Sequence, residues 1–464
     1  MSGAAVPSCL PPVGDPALRS AIDMAGAIAS GALSAAELTQ HTLDRIAMVD
    51  PRLNAFTAVT AERARRKARE IDAARARGEP LPPLAGVPYA VKNLFDVAGL
   101  TTLAGSRVLA SKAAASADAV LIDRMERAGA VLVGALNMDE FAYGFTTENT
   151  HVGPTRNPHA LSHSAGGSSG GCGAAVAAGL VPLSLGSDTN GSIRVPSSVC
   201  GIFGLKPTFG RLPRHGSYPF VYSLDHLGPF ARSADDLARC FAALLGEAAP
   251  AAGLSGEAGP QRVALLGGYF QQFAGPQARA AARAAAIALG AGEEVEFNSA
   301  AAARAAAFII TASEGGQLHL DHLRDHYDAM EPLSRDRLAA GALVPASAYI
   351  RAQRVRALAR AEARRLFDRF DLLIAPATPV PAQPLGSASF DLNGTAVPTR
   401  PNMGLLTQPI SCIGFPVVAA PMRVAPGELP IGVQLIAAPG REEVALRAAR
   451  LLEVAGATAA GGAA

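Results

Sequence analysis

The reading turns on Ser164–Pro207, SAGGSSGGCGAAVAAGLVPLSLGSDTNGSIRVPSSVCGIFGLKP. Two serine clusters set in glycine, GGSSGG (Gly166–Gly171) and DTNGSIR (Asp188–Arg194), bracket AAVAAGLVPLSL, a run too apolar for an exposed loop. The pattern predicts loop, buried helix, short buried strand and loop, which puts both clusters at the ends of buried elements. Backbone N–H groups are free at such ends and can converge on one point. Glycine lets the chain take positive φ and come close to a ligand. A hydroxyl offered from that kind of turn, beside converging amides, is the arrangement of a nucleophile and an oxyanion hole. A Gly/Ser linker has a similar composition, but it would not be fused to an apolar run of this length.

The composition bounds the function classes. The chain has 464 residues, 49% hydrophobic and 17% charged, which describes a globular protein with a large core. A net charge of +2, from 41 basic and 39 acidic groups, creates no strong field for nucleic acid or an anionic membrane. No direct nucleic-acid partner is expected, and the absence of tryptophan argues against a stacking platform for single strands. Five scattered cysteines (Cys9, Cys172, Cys200, Cys240 and Cys412) have no metal-type spacing. They are expected to be small buried side chains in a reducing, cytoplasmic setting. The first residues, MSGAAVPSCLPPVGDP, lack the pattern of a secretory signal, and no apolar segment is long enough to span a bilayer. The Ala/Gly tail is expected to fray.

Along the chain, Ser34–Val49 opens on a capping box and predicts a helix ended by Pro51. Further helices are predicted over Ala61–Arg77, Asp118–Ala130, Ser233–Leu245, Gln277–Leu289, Ser347–Phe370 and Glu442–Val454. Strands are predicted in GVPYAVKN, Val131–Asn137, Val263–Gly268, Asp371–Pro381, Pro409–Pro421 and Gly432–Ile436. Helices and strands in this alternation point to an α/β sheet, and the lack of an internal repeat or linker favours one domain over residues 1–464.

A serine nucleophile needs a base. His151, His159 and His163 lie just upstream, yet nothing in their setting favours that role. Cys172 has no adjacent histidine to make it a nucleophile. Lys92 is different, because it sits in the apolar segment VPYAVKN with no carboxylate before Asp96. A desolvated lysine has a depressed pKa and can serve as a general base. A lysine at a strand end with its head in water fits the same letters.

Together, VPYAVKN, GGSSGG and GSDTNGSIRVPSSVCGIFGLKPT resemble the amidase signature family, from the Lys92 segment through the C-terminal PIGVQLIA. The resemblance implies a large mixed β-sheet flanked by helices on both faces. It also implies a catalytic core over about 80–245 and a C-terminal half that completes the substrate pocket. It implies a Ser–cis-Ser–Lys triad, with Ser192 as nucleophile, Ser168 as bridging serine cis-linked to Gly167, and Lys92 as base. The amides of Thr189, Asn190, Gly191 and Ser192 would form the oxyanion hole, with Ser169, Asp188 and Arg194 supporting it. No metal and no organic cofactor is expected. Many members have Gly-Gly before the nucleophile where this chain has Asn190-Gly191, and that side chain can enter the pocket.

Two branches of the family lie nearest. FAYGFTTENTHVGPTRNP and SLDHLGPFARS resemble the catalytic glutaminase chains of glutamyl-tRNA(Gln) amidotransferases and, more closely, the 1-carboxybiuret hydrolases. In the tRNA-linked branch an arginine and an aspartate grip the α-carboxylate and α-amino group of glutamine. The arginine aligns with Arg337, and the aspartate falls at Gly404. Tyr143 and Gln317 are further candidates for substrate contacts. The resemblance therefore implies ammonia release from a small carboxylated ureide. It also implies a small companion subunit, resembling the smallest chain of the tRNA amidotransferase, with a dimer of the large subunit.

Overall fold

The computed structural model describes residues 8–11, 19–246 and 262–459. The last residues of the Ala/Gly tail lie outside them. Eleven strands form a single mixed sheet. In chain order they are β1 (Phe56–Val59), β2 (Pro88–Lys92), β3 (Val131–Leu136), β4 (Leu183–Asp188), β5 (Phe203–Lys206) and β6 (His226–Ala231). They continue with β7 (Val263–Leu266), β8 (Glu293–Val295), β9 (Leu372–Pro376), β10 (Val417–Met422) and β11 (Ile431–Ala437). Their order in space is β1-β3-β2-β4-β6-β5-β10-β11-β9-β7-β8. Strand β2 runs parallel to both β3 and β4, β7 runs parallel to β8 and β9, and the remaining pairs are antiparallel.

The central strands β2, β3, β4, β5 and β6 are buried along their whole length. This is why β2 and β3, PYAVK and VLVGAL, read as near-continuous apolar runs, with no alternation of polar and apolar residues. Helices pack on the sheet, among them Pro276–Ala288 against β9 and β11, and Glu442–Val454 against β10 and β11. Four further helices matter for the site: α1 (Gly170–Ala177), α2 (Arg194–Cys200), α3 (Ala300–Leu318) and α4 (Pro332–Ala342). Helix α3 packs on α4 and on the helix Ala346–Arg369, so this C-terminal layer behaves as one block.

Two predicted boundaries are corrected. The helix predicted from Ser34 runs from Ala35 to Leu53 with Pro51 inside it, and its capping box is formed as expected. Its end is set by Asn54, which takes φ 57° and donates its N–H to Asp50 O at 2.7 Å. The segment Pro409–Pro421 is not one strand. It starts as a helix, Gln408–Ile413, turns at Gly414 (φ 73°), and becomes strand only at β10. An unbroken apolar run carries no period to separate helix from strand.

Candidate active site

The segment quoted at the outset folds as loop, α1, β4, loop and α2, and the two serine clusters meet at the same end of the sheet. Lys92 is the last residue of β2, and β2 and β4 are parallel, with Val91 opposite Leu185. Their C-terminal ends are therefore side by side, the edge of a parallel sheet where sites are usually built. Lys92 is 0% exposed. Its Nζ donates to Ser168 Oγ at 2.7 Å and to Ser187 Oγ at 2.9 Å. Burial pushes its pKa down to about 8, while Cys172, Asp139, Asp225 and Asp188 pull weakly the other way. Of the two readings of this lysine, the strand end with its head in water is excluded by that burial.

The peptide bond Gly167–Ser168 is cis. Ser168 Oγ accepts from Lys92, and the Ser168 carbonyl accepts the Asp139 N–H at 3.2 Å. Ser169 does not face the cleft. Its hydroxyl donates to the Ser187 carbonyl at 3.2 Å and so fixes the residue that holds Lys92 from the other side. Ser192 is buried, its hydroxyl makes no hydrogen bond among the described residues, and it lines the cleft. No hydrogen bond joins Ser192 to Ser168 among the described residues.

The loop Thr189–Ser192 is held from three sides. Beneath it, the buried pair Asp188–Arg194 forms two contacts, Nε to Oδ2 at 3.0 Å and Nη2 to Oδ1 at 2.9 Å. Asp188 Oδ2 also takes the Ile193 N–H at 3.1 Å, and Arg194 continues to Thr407 O, Gln434 Oε1 and Ser411 Oγ. Burial works against the Asp188 charge, but Arg194, Lys206 and His226 override it and hold the carboxyl well below its usual range. At one side Thr189 Oγ1 donates to Asp225 Oδ1 at 2.7 Å. At the other, Thr407 Oγ1 donates to Asn190 O at 2.6 Å, and Asn190 Nδ2 donates to Thr311 Oγ1 at 2.8 Å.

Gly191 sits at φ 140°, and a Cβ there would overlap the Thr407 side chain. Only glycine fits both demands. The amides of Thr189, Asn190, Gly191 and Ser192 donate no hydrogen bond among the described residues. Successive free N–H groups in a turn are the pattern from which backbone anion sites are built.

The cleft over this loop is narrow, and its non-atom space, open mouth included, is about 360 Å³. Besides Thr189, Asn190 and Ser192 it is lined by Tyr143, Phe145, Phe220, Thr311, Arg337 and Gln408. Arg337, on α4, lies 3.8 Å above the centre of the Tyr143 ring and makes no ion pair among the described residues. Burial lowers its pKa, but a guanidinium stays charged across the working range. Gly404 has the Phe145 ring against it, and a Cβ at that position would overlap the ring.

Gln317 is corrected: it is exposed on α3 and does not line the cleft. It follows Thr311 by about one and two-thirds turns, at 3.6 residues per turn, and so points from another face. The upstream histidines are engaged elsewhere, His151 with Glu140 at 2.8 Å, His159 with Cys200 O at 3.0 Å and His163 with Ser162 at 3.0 Å. Cys172 is buried with its thiol pushed up to about 12 by burial, so it stays protonated. All five cysteines are free and buried.

Ser187, Asp225 and Thr311 belong to the site but carry no signal of their own in the sequence. Ser187 is one polar residue in a strand end, and Thr311 lies in a helix whose composition is plain alanine-rich scaffold. No helix among the described residues is long and apolar enough to cross a membrane.

Comparison with known proteins bears on this geometry. A family profile described as Amidase matches residues 37–446. AtzE, a 1-carboxybiuret hydrolase chain of Pseudomonas sp. (strain ADP), is 56% identical over 451 residues, covering 94% of this chain and 98% of that protein. The A-type chain of the glutamyl-tRNA(Gln) amidotransferase of Synechococcus sp. (strain WH7803) is 36% identical, covering 92% of this chain and 95% of that protein. A solved structure described as a vestigial protein complex revealing the evolutionary origins of an s-triazine catabolic enzyme superposes with a TM-score of 0.92 at 55% identity. That match covers 95% of this chain and 99% of the other. With the mixed sheet, the paired serine clusters and the buried lysine in place, these matches establish that the chain belongs to the amidase family.

Proposed function

We propose that this amidohydrolase releases ammonia from the terminal amide of a small carboxylated ureide, 1-carboxybiuret, giving urea-1,3-dicarboxylate. The observation that carries the reading is Lys92, a fully buried amine 2.7 Å from Ser168 Oγ, behind a serine that opens on the cleft. A lysine in that position is usable as a base in its neutral form.

In the proposed cycle neutral Lys92 takes the proton of Ser168 as Ser168 takes that of Ser192. The Ser192 oxygen adds to the carbonyl carbon, and the carbonyl pair becomes an oxyanion held by the amides of Thr189, Asn190, Gly191 and Ser192. Each such donor contributes about 2.7–4 kcal/mol where removal has been measured in related chemistry. The C–N bond then breaks, the relay returns its proton to the leaving nitrogen, and ammonia departs. Water, deprotonated by the same relay, cleaves the acyl-enzyme and restores Ser192. The Ser168–Ser192 contact closes when substrate is bound, as catalytic hydrogen bonds commonly tighten on binding.

Substrate choice follows from Arg337 and Gly404. A cleft guanidinium without a carboxylate partner among the described residues suits a substrate carboxylate. At position 404 there is no acidic group to meet an ammonium, and Phe145 fills the space. Burying an ammonium unpaired costs several kcal/mol, which favours a carboxylated ureide over glutamine. A small companion subunit, with a dimer of the large subunit, is part of the proposal, supported by the likeness to a structure described as a protein complex.

The test is ammonia release from 1-carboxybiuret, allophanate, biuret and glutamine. Preference for 1-carboxybiuret supports the reading. Preference for glutamine, raised by a tRNA-kinase partner, would replace it with the tRNA-linked glutaminase. Phenyl phosphorodiamidate should label Ser192, and folded protein that takes no label and releases no ammonia from any substrate would make the chain a scaffold.

A further inference from the structure

Asn190 lines the cleft beside Ser192 and carries an unused polar atom. It is 7% exposed, and its Oδ1 is buried without a hydrogen-bond partner among the described residues. Its other ends are fixed, with Nδ2 donating to Thr311 Oγ1 at 2.8 Å and the backbone carbonyl accepting from Thr407 Oγ1 at 2.6 Å. In this arrangement the Thr311 hydroxyl holds the carboxamide nitrogen and leaves Oδ1 as the end without a partner. Besides the Ser192, Tyr143 and Thr311 hydroxyls, the other polar side chains of the lining offer no free acceptor. Arg337 only donates, the Gln408 carbonyl already accepts from Arg304 Nε at 2.9 Å, and the Thr189 hydroxyl is engaged with Asp225.

We propose that Asn190 Oδ1 accepts the N–H linking the reacting carbonyl to the carboxylate-bearing arm, so that this residue selects ureides over plain carboxamides. The inference rests on the reading of Ser192 as nucleophile. Asn190 is two residues from Ser192, whose oxygen must come within about 3–3.5 Å of the carbonyl carbon. Its side chain therefore meets groups bonded directly to that carbon. A carbonyl has two such substituents. The leaving nitrogen faces the Lys92–Ser168 side, from which its proton comes, and neither of those residues lines the cleft. Asn190 and Thr311 line the cleft itself, so the proposal puts the second substituent against them. In a ureide that substituent is N–H; in a carboxamide it is CH₂, which would leave Oδ1 buried and unpaired. Sites built to hydrogen-bond a group reject analogues lacking it.

Ureidoacetate and succinamate test this, because they differ only by NH against CH₂ at that position. Binding to the Ser192→Ala protein is measured by calorimetry, so no turnover is required. Ureidoacetate is expected to bind about tenfold or more tightly than succinamate. Asn190→Ala in the same background should bring the two within about twofold of one another, chiefly by weakening ureidoacetate. Thr311→Val, which frees the carboxamide without touching Oδ1, should narrow the gap in the same direction and serves if Asn190→Ala does not fold. Equal affinity in the Ser192→Ala protein, or equal losses for both ligands on substitution, overturns the proposal. Failure of the hydrolytic reading is a separate result, seen as no ammonia from any substrate while the binding difference stands.

Discussion

Lys92 Nζ lies 2.7 Å from Ser168 Oγ, and no carboxylate among the described residues shares a hydrogen bond with that nitrogen. Burial without an ion pair is what brings the pKa down to about 8. Below that value the amine is mostly protonated and cannot accept; above it the base is free. Log kcat/KM should therefore rise by about one per pH unit through neutrality and level off above about 8. Lys92→Ala should keep the fold, shown by an unchanged melting profile, and lose about 10²–10⁴-fold in kcat. A flat profile across this range, or near-full activity in the variant, would exclude the relay.

Ser187 supplies the second acceptor for Lys92, at 2.9 Å, and is itself fixed by Ser169. A hydroxyl that accepts from an ammonium favours the protonated form. Ser187→Ala should therefore move the acid limb of the pH profile to lower pH while reducing the plateau by about tenfold, since the amine is less well aimed. The two effects have opposite signs at low pH, so a full pH profile is the measurement. A reduced plateau with an unmoved limb would mean that Ser187 only packs.

The loop that carries Ser192 stands on a charge pair that is 0% exposed on both sides, Asp188 and Arg194. Removing one partner of such a pair leaves a buried charge and costs about 3–5 kcal/mol, whereas neutralising both costs less. In urea unfolding Arg194→Met should lose about that amount, and Asp188→Asn/Arg194→Met should recover part of it. Activity should stay low in both, because the Asp188 carboxylate that anchors the Ile193 amide loses its buried partner in one and is replaced by an amide in the other.

What could be read from the letters was local, and what could not was the convergence. Lys92, Ser168 and Ser192 stand in short segments whose apolar or glycine-rich neighbours announce burial and tight turns. Strand β2 and the α1–β4 segment were legible for the same reason, since a fully buried strand is a continuous apolar run. Thr311 and Gln317 show the limit. Both lie on α3, a helix whose alanines give no strong apolar face, so its rotation against the sheet was set by packing on α4 and on Gln408–Ile413. Ser187 and Asp225 were invisible for another reason. Each is a single polar residue whose partner is 95 and 36 residues away in sequence, Lys92 and Thr189 respectively.

Arg337 stacks on Tyr143 and makes no ion pair among the described residues. If it binds the substrate carboxylate, Arg337→Ala should raise KM for carboxylated substrates by about tenfold to a hundredfold, with a smaller change in kcat. Neutral amides such as biuret should be affected by less than about threefold. Arg337→Lys should restore only part of the loss, because an ammonium lacks the two-pronged geometry. Equal losses for charged and neutral substrates would remove Arg337 from recognition and leave it as support for the Tyr143 ring.

Phe145 and Gly404 are packed against one another, and a Cβ at 404 would overlap the Phe145 ring. The resemblance implies an aspartate at this position in the tRNA-linked branch. Gly404→Asp alone should thus destabilise the protein, by the about 1–3 kcal/mol typical of overpacking. Combined with Phe145→Ala, which vacates the same space, the new carboxylate can sit at the cleft wall and pair with an ammonium. The double variant should gain in kcat/KM for glutamine relative to glutaramate, its analogue without the α-amine, by about tenfold, the scale of one charge-assisted hydrogen bond. The ratio of the two substrates is the measurement, because it cancels general damage to the site. A ratio that stays at the starting value in a folded double variant would mean that position 404 does not face the α-amino group, and that the exclusion of glutamine arises elsewhere in the cleft.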